Sequence, residues 1–295
     1  MPILHEFDYA KPGSVRETIA LLSRHRKYAV LAGGTDLVDM IKENVFQPDI
    51  VVDIKGVDSL NKVKFANDKL SIGAGCTFSD LIESKIIQQK YPVIVEIAKT
   101  VASVGIRNRA TLVGNICSGV PCMDSGPLLV AYDASIHAAG PKGKRTIPAE
   151  DWFVAPRKTA LRKGEIVTGV VLPRPKAKHA GCWVKLRRYD GEDLAQASVL
   201  VLALSDGTFR ISFGAVAPVP VRAKKLERLL NGRNVSEVLM NQAKQLIEQE
   251  IQPITDIRAT KEYRMHMAKV MFERGLNAAI GRLNGTGPEY GTNVI

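Results

Sequence analysis

IRNRATLVGNICSGVPCMDSG, residues 106–126, is a polar stretch with several glycines between two strongly apolar segments. Thr111 offers a hydroxyl, while Gly114 and Gly119 let backbone N–H groups come close to a guest molecule. The other short polar side chains that can bind phosphate or sugar oxygens are Asn115, Ser118 and Asp124. The stretch therefore predicts one wall of a ligand site.

A second glycine loop, LAGGTDL at residues 31–37, directly follows the apolar residues 28–30. Two such loops suggest one long ligand that is held at two places. A simpler alternative stays open, because a Gly-Gly pair after an apolar run often makes only a tight turn. No Gly-x-x-x-x-Gly-Lys-Ser/Thr motif occurs, and the nearest Gly-x-Gly-x-x-Gly, at residues 73–78, lacks its third glycine. We therefore expect phosphate contacts to come mostly from backbone amides.

Taken together, LAGGTDL, IRNRATLVGN and SGVPCMDS resemble the two flavin-binding motifs of the FAD-binding (medium) subunits of the molybdenum hydroxylases. This family includes xanthine dehydrogenase and carbon monoxide dehydrogenase, and the likeness runs from Phe7 to the carboxy-terminal helices. It implies an α+β fold: a two-part FAD-binding domain of the vanillyl-alcohol-oxidase (PCMH-like) type, followed by a small antiparallel sheet with helices. Val113 departs from the pattern, since the family usually has glycine there. We expect it to alter one backbone contact, because valine tolerates positive φ poorly.

The resemblance also implies which residues contact FAD. The first loop would wrap the pyrophosphate, although Thr35 and Asp36 are equally typical of a helix start. Asp124 would approach the ribityl or adenosine end, unless it only caps a helix. The full implied FAD-binding set is Val30, Leu31, Ala32, Gly33, Gly34, Thr35, Asp36, Leu37, Ile106, Thr111, Val113, Gly114, Asn115, Ser118, Asp124, Val167 and Lys185.

Two members of this set concern the isoalloxazine ring. The resemblance places Lys185 near the ring, where a positive charge would stabilise the reduced flavin anion. Without the resemblance, Lys185 would be interpreted as a solvated lysine on a strand. Val167 matches an apolar position that lines the ring, and its alternative is a plain core residue.

The implied function is electron transfer within a complex resembling xanthine dehydrogenase, an oxidoreductase acting on CH or CH2 groups. Electrons would pass from a molybdenum cofactor in a large subunit through [2Fe-2S] clusters in a small subunit to FAD in this chain. They would then leave to NAD or another acceptor, and the complex would be a dimer of heterotrimers. Two alternatives stay open: a stand-alone FAD oxidase of the vanillyl-alcohol-oxidase type, and a non-enzymatic basic adaptor.

Composition favours an ordinary globular protein, with 295 residues, 45% hydrophobic and 24% charged. We expect a cytoplasmic location and no membrane insertion, since neither an apolar run of about 18 residues nor a signal peptide is visible. The net charge is +11, but the basic residues are scattered and only 6% of residues are aromatic, which argues against nucleic-acid binding. The four cysteines and five histidines lack metal-ligand spacing, so we expect no metal in this chain.

The pattern of the first part predicts an FAD-binding domain at residues 1–175, divided at about residue 56. Capping boxes at Ser14 and Thr77 each predict a helix, the second running to Gln88. A further helix is predicted from Pro92 to about Val104, and Pro121 and Pro127 predict a path without regular helix through the central stretch. Strands are predicted at residues 28–31, 49–54, 69–73 and 166–172.

A Pro- and Lys-rich segment, residues 173–178, predicts the boundary to a carboxy-terminal α+β domain at residues 176–284. Three strands are expected there, at residues 181–188, 195–204 and 208–216, followed by helices at 221–230, 236–248 and 260–283. Residues 285–295 contain three glycines and few apolar side chains, which predicts a mobile tail or an arm laid on a partner.

Overall fold

The computed structural model describes residues 3–189 and 191–295. The helices are α1 Val15–Arg24, α2 Leu37–Lys42, α3 Phe78–Glu83, α4 Lys85–Lys90, α5 Pro92–Lys99, α6 Val104–Arg107, α7 Leu112–Ser118, α8 Ser125–Ala131, α9 Ala149–Trp152, α10 Lys224–Leu230, α11 Glu237–Leu246 and α12 Lys261–Asn284. The strands are β1 Asp8–Ala10, β2 Tyr28–Leu31, β3 Ile50–Asp53, β4 Val63–Ala66, β5 Lys69–Gly73, β6 Ser135–Gly140, β7 Gly143–Pro148, β8 Phe153–Ala155, β9 Lys158–Thr159, β10 Ile166–Pro173, β11 His179–Leu186, β12 Ala197–Leu204, β13 Phe209–Gly214 and β14 Val221–Arg222.

The amino-terminal sheet is a small parallel sheet with strand order β1-β3-β2. Strand β3 is buried along its whole length, as its apolar sequence IVVD requires. Helix α1 begins where the capping box predicts, because the N–H of Glu17 donates to Ser14 Oγ at 3.2 Å. Leu31 pairs with Asp53 at the carboxyl end of the sheet, so the first glycine loop leaves from that edge. Ligand sites of open parallel sheets commonly lie at this edge.

The second sheet has the order β4-β5-β10-β6-β7, with β10 in the centre. The helical region before it is more divided than the sequence predicts. Thr77 and Asp80 do form a reciprocal capping box, but the helix stops at Glu83 because Ser84 adopts an extended conformation and caps α4. The helix that starts at Pro92 likewise ends at Lys99, and Ser103 caps the separate α6.

The central stretch corrects the prediction of a path without regular helix. Helix α7 lies within it and α8 begins at its end, whereas residues 119–124 form no regular helix. Gly119 ends α7 in the left-handed conformation at φ 60°. Pro127 is the third residue of α8. The prediction was wrong because a proline in the first helical turn loses no hydrogen bond, since that N–H has no acceptor inside the helix.

The carboxy-terminal sheet is antiparallel, with order β11-β12-β13-β14. The fourth strand, β14, lies where the sequence predicts the start of a helix at Val221. That start is wrong, because the helix begins only at Lys224. The side chains of Cys182, Val184 and Leu186 pack into the core beneath α12. Trp183 packs into the first core, so β11 lies between the two cores.

Residues 174–178 connect β10 of one sheet to β11 of another, at the place where the domain boundary was predicted. The predicted limits of the domains themselves stay a prediction. The tail packs on the chain itself, and its mobility and its contact with a partner stay predictions. Tyr290 stacks on Arg282, and the N–H of Gly291 donates to Glu96. No helix among the described residues is both long and apolar enough to span a membrane.

Candidate functional site

A cavity of about 610 Å³ lies where the two glycine loops and the end of β11 converge. Its walls come from residues 30–40, residues 101–124 and a third part that comprises residues 185–189 and 192–194, with Phe78 in addition. The volume lies within the range of small-molecule and cofactor sites. Its lining comprises Val30, Ala32, Gly33, Gly34, Thr35, Asp36, Leu37, Met40, Phe78, Val101, Ala102, Ile106, Ala110, Thr111, Gly114, Asn115, Cys117, Ser118, Val120, Cys122, Met123, Asp124, Lys185, Arg188, Tyr189, Glu192, Asp193 and Leu194.

The two glycine loops touch each other through their backbones. A Cβ atom added at Gly33 would lie 2.2 Å from the carbonyl oxygen of Arg109 and 2.8 Å from Cα of Ala110. Only glycine fits this approach without moving one of the loops. The next residue, Gly34, has φ +80°, which favours glycine for a second reason. The Gly-Gly pair therefore joins the two loops as well as turning the chain.

Backbone N–H groups of the first loop are available to a ligand. Within the described residues, no protein acceptor bonds the N–H groups of Gly33, Gly34, Thr35 or Asp36, and all four residues line the cavity. Asp36 stands before α2 but makes no side-chain cap bond. These half-buried or exposed N–H groups face the cavity, and successive backbone N–H groups in a turn form a concavity that can bind an anion.

The second loop uses its polar side chains mainly to fix its own shape. Thr111 caps α7, because its Oγ1 accepts the N–H of Gly114 at 2.8 Å. Asn115 Oδ1 accepts the N–H of Ser125 at 3.1 Å, which ties α7 to the start of α8. The hydroxyl of Ser118 donates to the carbonyl of Asn115 at 2.8 Å. These bonds hold the wall of the cavity in place.

Val113 does not alter this loop in the expected way. It is the second residue of α7, and its φ is not positive. A helical position accepts valine without the strain of a left-handed backbone. Its side chain is buried in the first core and points away from the cavity lining. The concern that Val113 disturbs the backbone here is therefore removed.

A buried ion pair joins the end of the second loop to the end of β11 at the cavity. Lys185 Nζ lies 2.7 Å from Asp124 Oδ2 and donates to the carbonyl of Thr100 at 3.0 Å, and the two charged side chains are 3% and 7% exposed. The solvated alternative for Lys185 is therefore wrong. Burial raises the pKa of Asp124, and the neighbouring Lys185 opposes this rise. Asp124 stands before α8 but makes no cap bond. Its carboxylate instead pairs with Lys185 and lines the cavity.

Sequence reasoning missed the third wall, which follows β11. There the carboxylate of Asp193 accepts the N–H groups of Arg188 and Leu194, at 2.8 and 2.9 Å, and pairs with the Arg188 guanidinium. These bonds close the loop, and Tyr189 at its tip is exposed. The adjacent pair Arg187–Arg188 was the only signal in the sequence, since the loop has neither periodicity nor a motif.

Two thiols of the central stretch also face the cavity, Cys117 and Cys122. The protein surrounding the Cys117 thiol raises its pKa to about 12 by desolvation, although the cavity leaves the side chain accessible. Burial also raises the pKa of Cys122. Protonated thiols are poor metal ligands and nucleophiles. No group of three or more metal-binding side chains occurs in the described residues.

The cavity brings together most of the residues that the sequence singled out, with three exceptions. Leu31 packs beneath Gly34 on the far side of the loop, and Val113 belongs to the core. Val167 lies in the first core on β10, is 3% exposed and does not line the cavity. For Val167 the structure favours the core alternative, and its place beside the flavin ring stays a prediction.

Comparison with known proteins identifies the family. Residues 5–175 match the family described as the FAD binding domain in molybdopterin dehydrogenase. Residues 184–279 match the CO dehydrogenase flavoprotein C-terminal domain. The chain belongs to the FAD-binding subunits of the molybdenum hydroxylases. It is thus an oxidoreductase subunit, and the α+β fold expected from the resemblance is confirmed.

The relatives of this FAD-binding subunit match over nearly their whole length. The carbon monoxide dehydrogenase medium chain of Hydrogenophaga pseudoflava is 32% identical over 280 residues, 94% of this chain and 98% of that protein. The putative xanthine dehydrogenase FAD-binding subunit of Escherichia coli is 29% identical, covering 95% and 99%. A solved structure of the Hydrogenophaga pseudoflava carbon monoxide dehydrogenase matches with a TM-score of 0.91 and 33% identity, covering 96% of this chain and 99% of that chain.

The cavity fits the FAD that the family binds. The first loop offers four N–H groups without a protein acceptor, which suits a diphosphate. Asp124 Oδ1 is buried and has no hydrogen-bond partner among the described residues, so it can accept a hydroxyl of the cofactor. Apolar side chains such as Ile106, Val120 and Met123 cover the remaining surface. The cavity is thus divided into a polar part and an apolar part, which matches the polar tail and the flat ring system of FAD.

Proposed function

We propose that this subunit holds FAD in the cavity between the two glycine loops and β11, and that it passes electrons from a partner's iron–sulfur clusters to an acceptor such as NAD. The approach of Gly33 to the backbone of Arg109 carries this proposal, because it joins both flavin motifs into one wall with unbonded amides. A glycine pair that served only as a turn would not require such contact with a second loop.

Each part of the cavity has a role in this proposal. The N–H groups of residues 33–36 hold the diphosphate, while Thr111 and Asn115 keep the second loop in shape. Asp124 Oδ1 accepts a hydroxyl of the cofactor, and Lys185 places a positive charge beside the ring. When bound, FAD exchanges single electrons with clusters and two electrons with a hydride acceptor. A fixed cation beside the ring favours the reduced, anionic form of the cofactor, because it compensates the added charge.

We infer the partners from the names of the relatives. Similar chains are called medium chains in carbon monoxide dehydrogenase and in the glyceraldehyde dehydrogenase of Sulfolobus acidocaldarius. We propose that this subunit joins a large molybdenum-binding subunit and a small [2Fe-2S] subunit in a cytoplasmic dimer of heterotrimers. Its net charge of +11 suits docking on an acidic partner surface.

The first test of the proposal is the visible spectrum of the purified protein. We expect the two-banded spectrum of oxidised flavin, bleaching by dithionite, and release of one FAD per chain on heating. A colourless chain that FAD cannot load would contradict the proposal. The acceptor is tested next, by mixing the anaerobically reduced complex with NAD. Prompt formation of NADH supports NAD as the acceptor, and flavin that reoxidises only with a ferredoxin, a quinone or oxygen replaces NAD by that acceptor.

A further inference from the structure

One face of β11 runs from the carboxy-terminal tail to the cavity. Gly181, Trp183 and Lys185 alternate with residues that point into the second core, so they share the face toward α5. Lys185 is the last of the three and reaches the cavity wall. The position of its ammonium therefore depends on how this face is held against α5.

Helix α5 holds the middle and the end of this face by direct bonds. The N–H of Trp183 donates to Glu96 Oε2 at 2.9 Å, and its indole N–H donates to Thr100 Oγ1 at 3.0 Å. Lys185 Nζ donates to the carbonyl of the same Thr100 at 3.0 Å. The last turn of α5 and Thr100, the residue that follows it, thus position both Trp183 and Lys185.

Glu96 is in turn fixed by the carboxy-terminal end of the chain. Arg282 NH2 lies 2.9 Å from Glu96 Oε1, and the two side chains are 3% and 4% exposed. The N–H of Gly291 also donates to Glu96 Oε1 at 2.9 Å. A buried carboxylate is tolerated only when its charge is paired and its oxygens are hydrogen-bonded. The tail provides one of these bonds, so it belongs to the support of Glu96.

Arg282 and Tyr290 both bond to Gly181, the first residue of this face of β11. Arg282 NH1 donates to the carbonyl of Gly181 at 2.8 Å, and the N–H of Gly181 donates to the Tyr290 hydroxyl at 3.3 Å. The Tyr290 ring lies 4.3 Å from the Arg282 guanidinium. Arg282 also donates to the carbonyls of Pro288 and Glu289, which fold the tail back onto α12.

We propose that the tail segment, residues 286–291, is a clasp that positions Lys185, with Arg282 and Tyr290 as its positioning residues. The clasp fixes the carboxylate of Glu96. Together with Thr100, Glu96 then fixes β11 by its bonds to Trp183. Fixing β11 keeps the Lys185 ammonium between Thr100 and Asp124. No residue of the segment lines the cavity, so its effect on the cofactor passes through β11. The inference rests on the proposed function, in which Lys185 lies beside the flavin ring.

The test compares Tyr290→Ala with Lys185→Gln in the full chain, alone and combined. Tyr290→Phe keeps the stacked ring, and Glu289→Gln changes an exposed side chain of the same segment as a control. We measure the FAD dissociation constant, the midpoint potential of the bound flavin and the melting temperature. We expect Tyr290→Ala to raise the FAD dissociation constant by at most about fivefold, because the free energy of the lost cation–π contact is the most that the clasp can pass on to the cofactor. Its potential should shift in the same direction as that of Lys185→Gln, and Tyr290→Phe should show a smaller shift.

The combined variant shows whether the clasp affects the flavin through Lys185. If the clasp acts through Lys185, Tyr290→Ala adds no further change in potential once Lys185 is Gln. An undiminished effect in the combined variant would overturn the clasp, as would a lowered melting temperature with unchanged potential and FAD affinity. If Lys185→Gln alone changes neither quantity, the proposed role of Lys185 fails, and the clasp fails with it. Inability of the unaltered chain to bind FAD would instead contradict the proposed function.

Discussion

The two sides of the FAD cavity are built from different chemical groups. The side formed by the glycine loops presents backbone amides, and its side-chain oxygens mostly cap and tie its own helices. The side formed by β11 and the loop to Leu194 presents charged side chains, and Lys185 is buried there against Asp124 from the end of the second loop. A backbone wall suits the diphosphate that every FAD carries, whereas a charged wall sets the electrostatic environment of the ring. We therefore expect changes on the two sides to differ in kind.

The largest effect is expected on the charged side, from Lys185→Met. The variant leaves the Asp124 carboxylate buried without its partner, which costs about 3–5 kcal/mol of unfolding free energy at neutral pH. Denaturant unfolding of the apoprotein measures this loss. The double variant Lys185→Met, Asp124→Leu removes both charges, and we expect it to recover most of the stability while FAD binding stays weak. Equal losses in the single and double variants would show that the ion pair is not the cause.

The same variant gives a pH prediction. Burial already raises the pKa of Asp124, and loss of Lys185 raises it further because nothing opposes the desolvation. Between the unfolded and the folded pKa, the folded variant binds more protons than the unfolded chain, so its stability falls as the pH rises. We expect Lys185→Met to be closer to wild type at pH ~5 than at pH ~8. A penalty that does not change over this range would contradict a charged, unpaired Asp124.

On the backbone side, the strongest test is Gly33→Ala. The new methyl group would lie 2.2 Å from the Arg109 carbonyl oxygen, and because both partners are backbone, a loop must move. We expect a loss of about 2–3 kcal/mol in stability, typical of overpacking, together with strongly weakened FAD binding. Gly105→Ala is the matched control, since its nearest neighbour would be Ser103 Oγ at 3.9 Å and its φ is not positive. Near-normal FAD binding by Gly33→Ala would show that the contact between the loops is dispensable.

The backbone side was also the predictable one, because its information is local in sequence. A glycine pair after a strand and a threonine before a helix can be recognised within a few residues. Even there, two details needed the structure. Pro127 is a helix breaker by residue type, but it lies in the first turn of α8, where proline is tolerated. Val113 stands where the family usually has glycine, but its own backbone is helical and needs no glycine.

On the charged side, the chemistry of the second loop pointed to Asp124, but Lys185 was found only through the resemblance. Their contact joins residues 61 positions apart, and Glu96 and Arg282 are 186 positions apart. No short-range pattern encodes such pairs, since they depend on how β11 packs against α5. The contacts of the tail are hidden from the sequence for the same reason. Its glycines suggest mobility, but Gly287 lets the backbone approach Arg282 closely, and the N–H of Gly291 donates to Glu96.

The smallest effect is expected from Thr111→Ala, and it tests whether the backbone side grips through amides. Thr111 Oγ1 caps α7 by accepting the Gly114 N–H, so its loss should cost about 1 kcal/mol and lower the melting temperature by about 2–4 °C. Thr111→Ser keeps the oxygen and should stay near wild type. FAD affinity should fall by no more than about fivefold in the alanine variant, the equivalent of that 1 kcal/mol. A loss of FAD binding far beyond this, at an unchanged melting temperature, would mean that the hydroxyl itself contacts the cofactor. Both sides of the cavity would then bind FAD through side chains, and they would differ only in how much each relies on them.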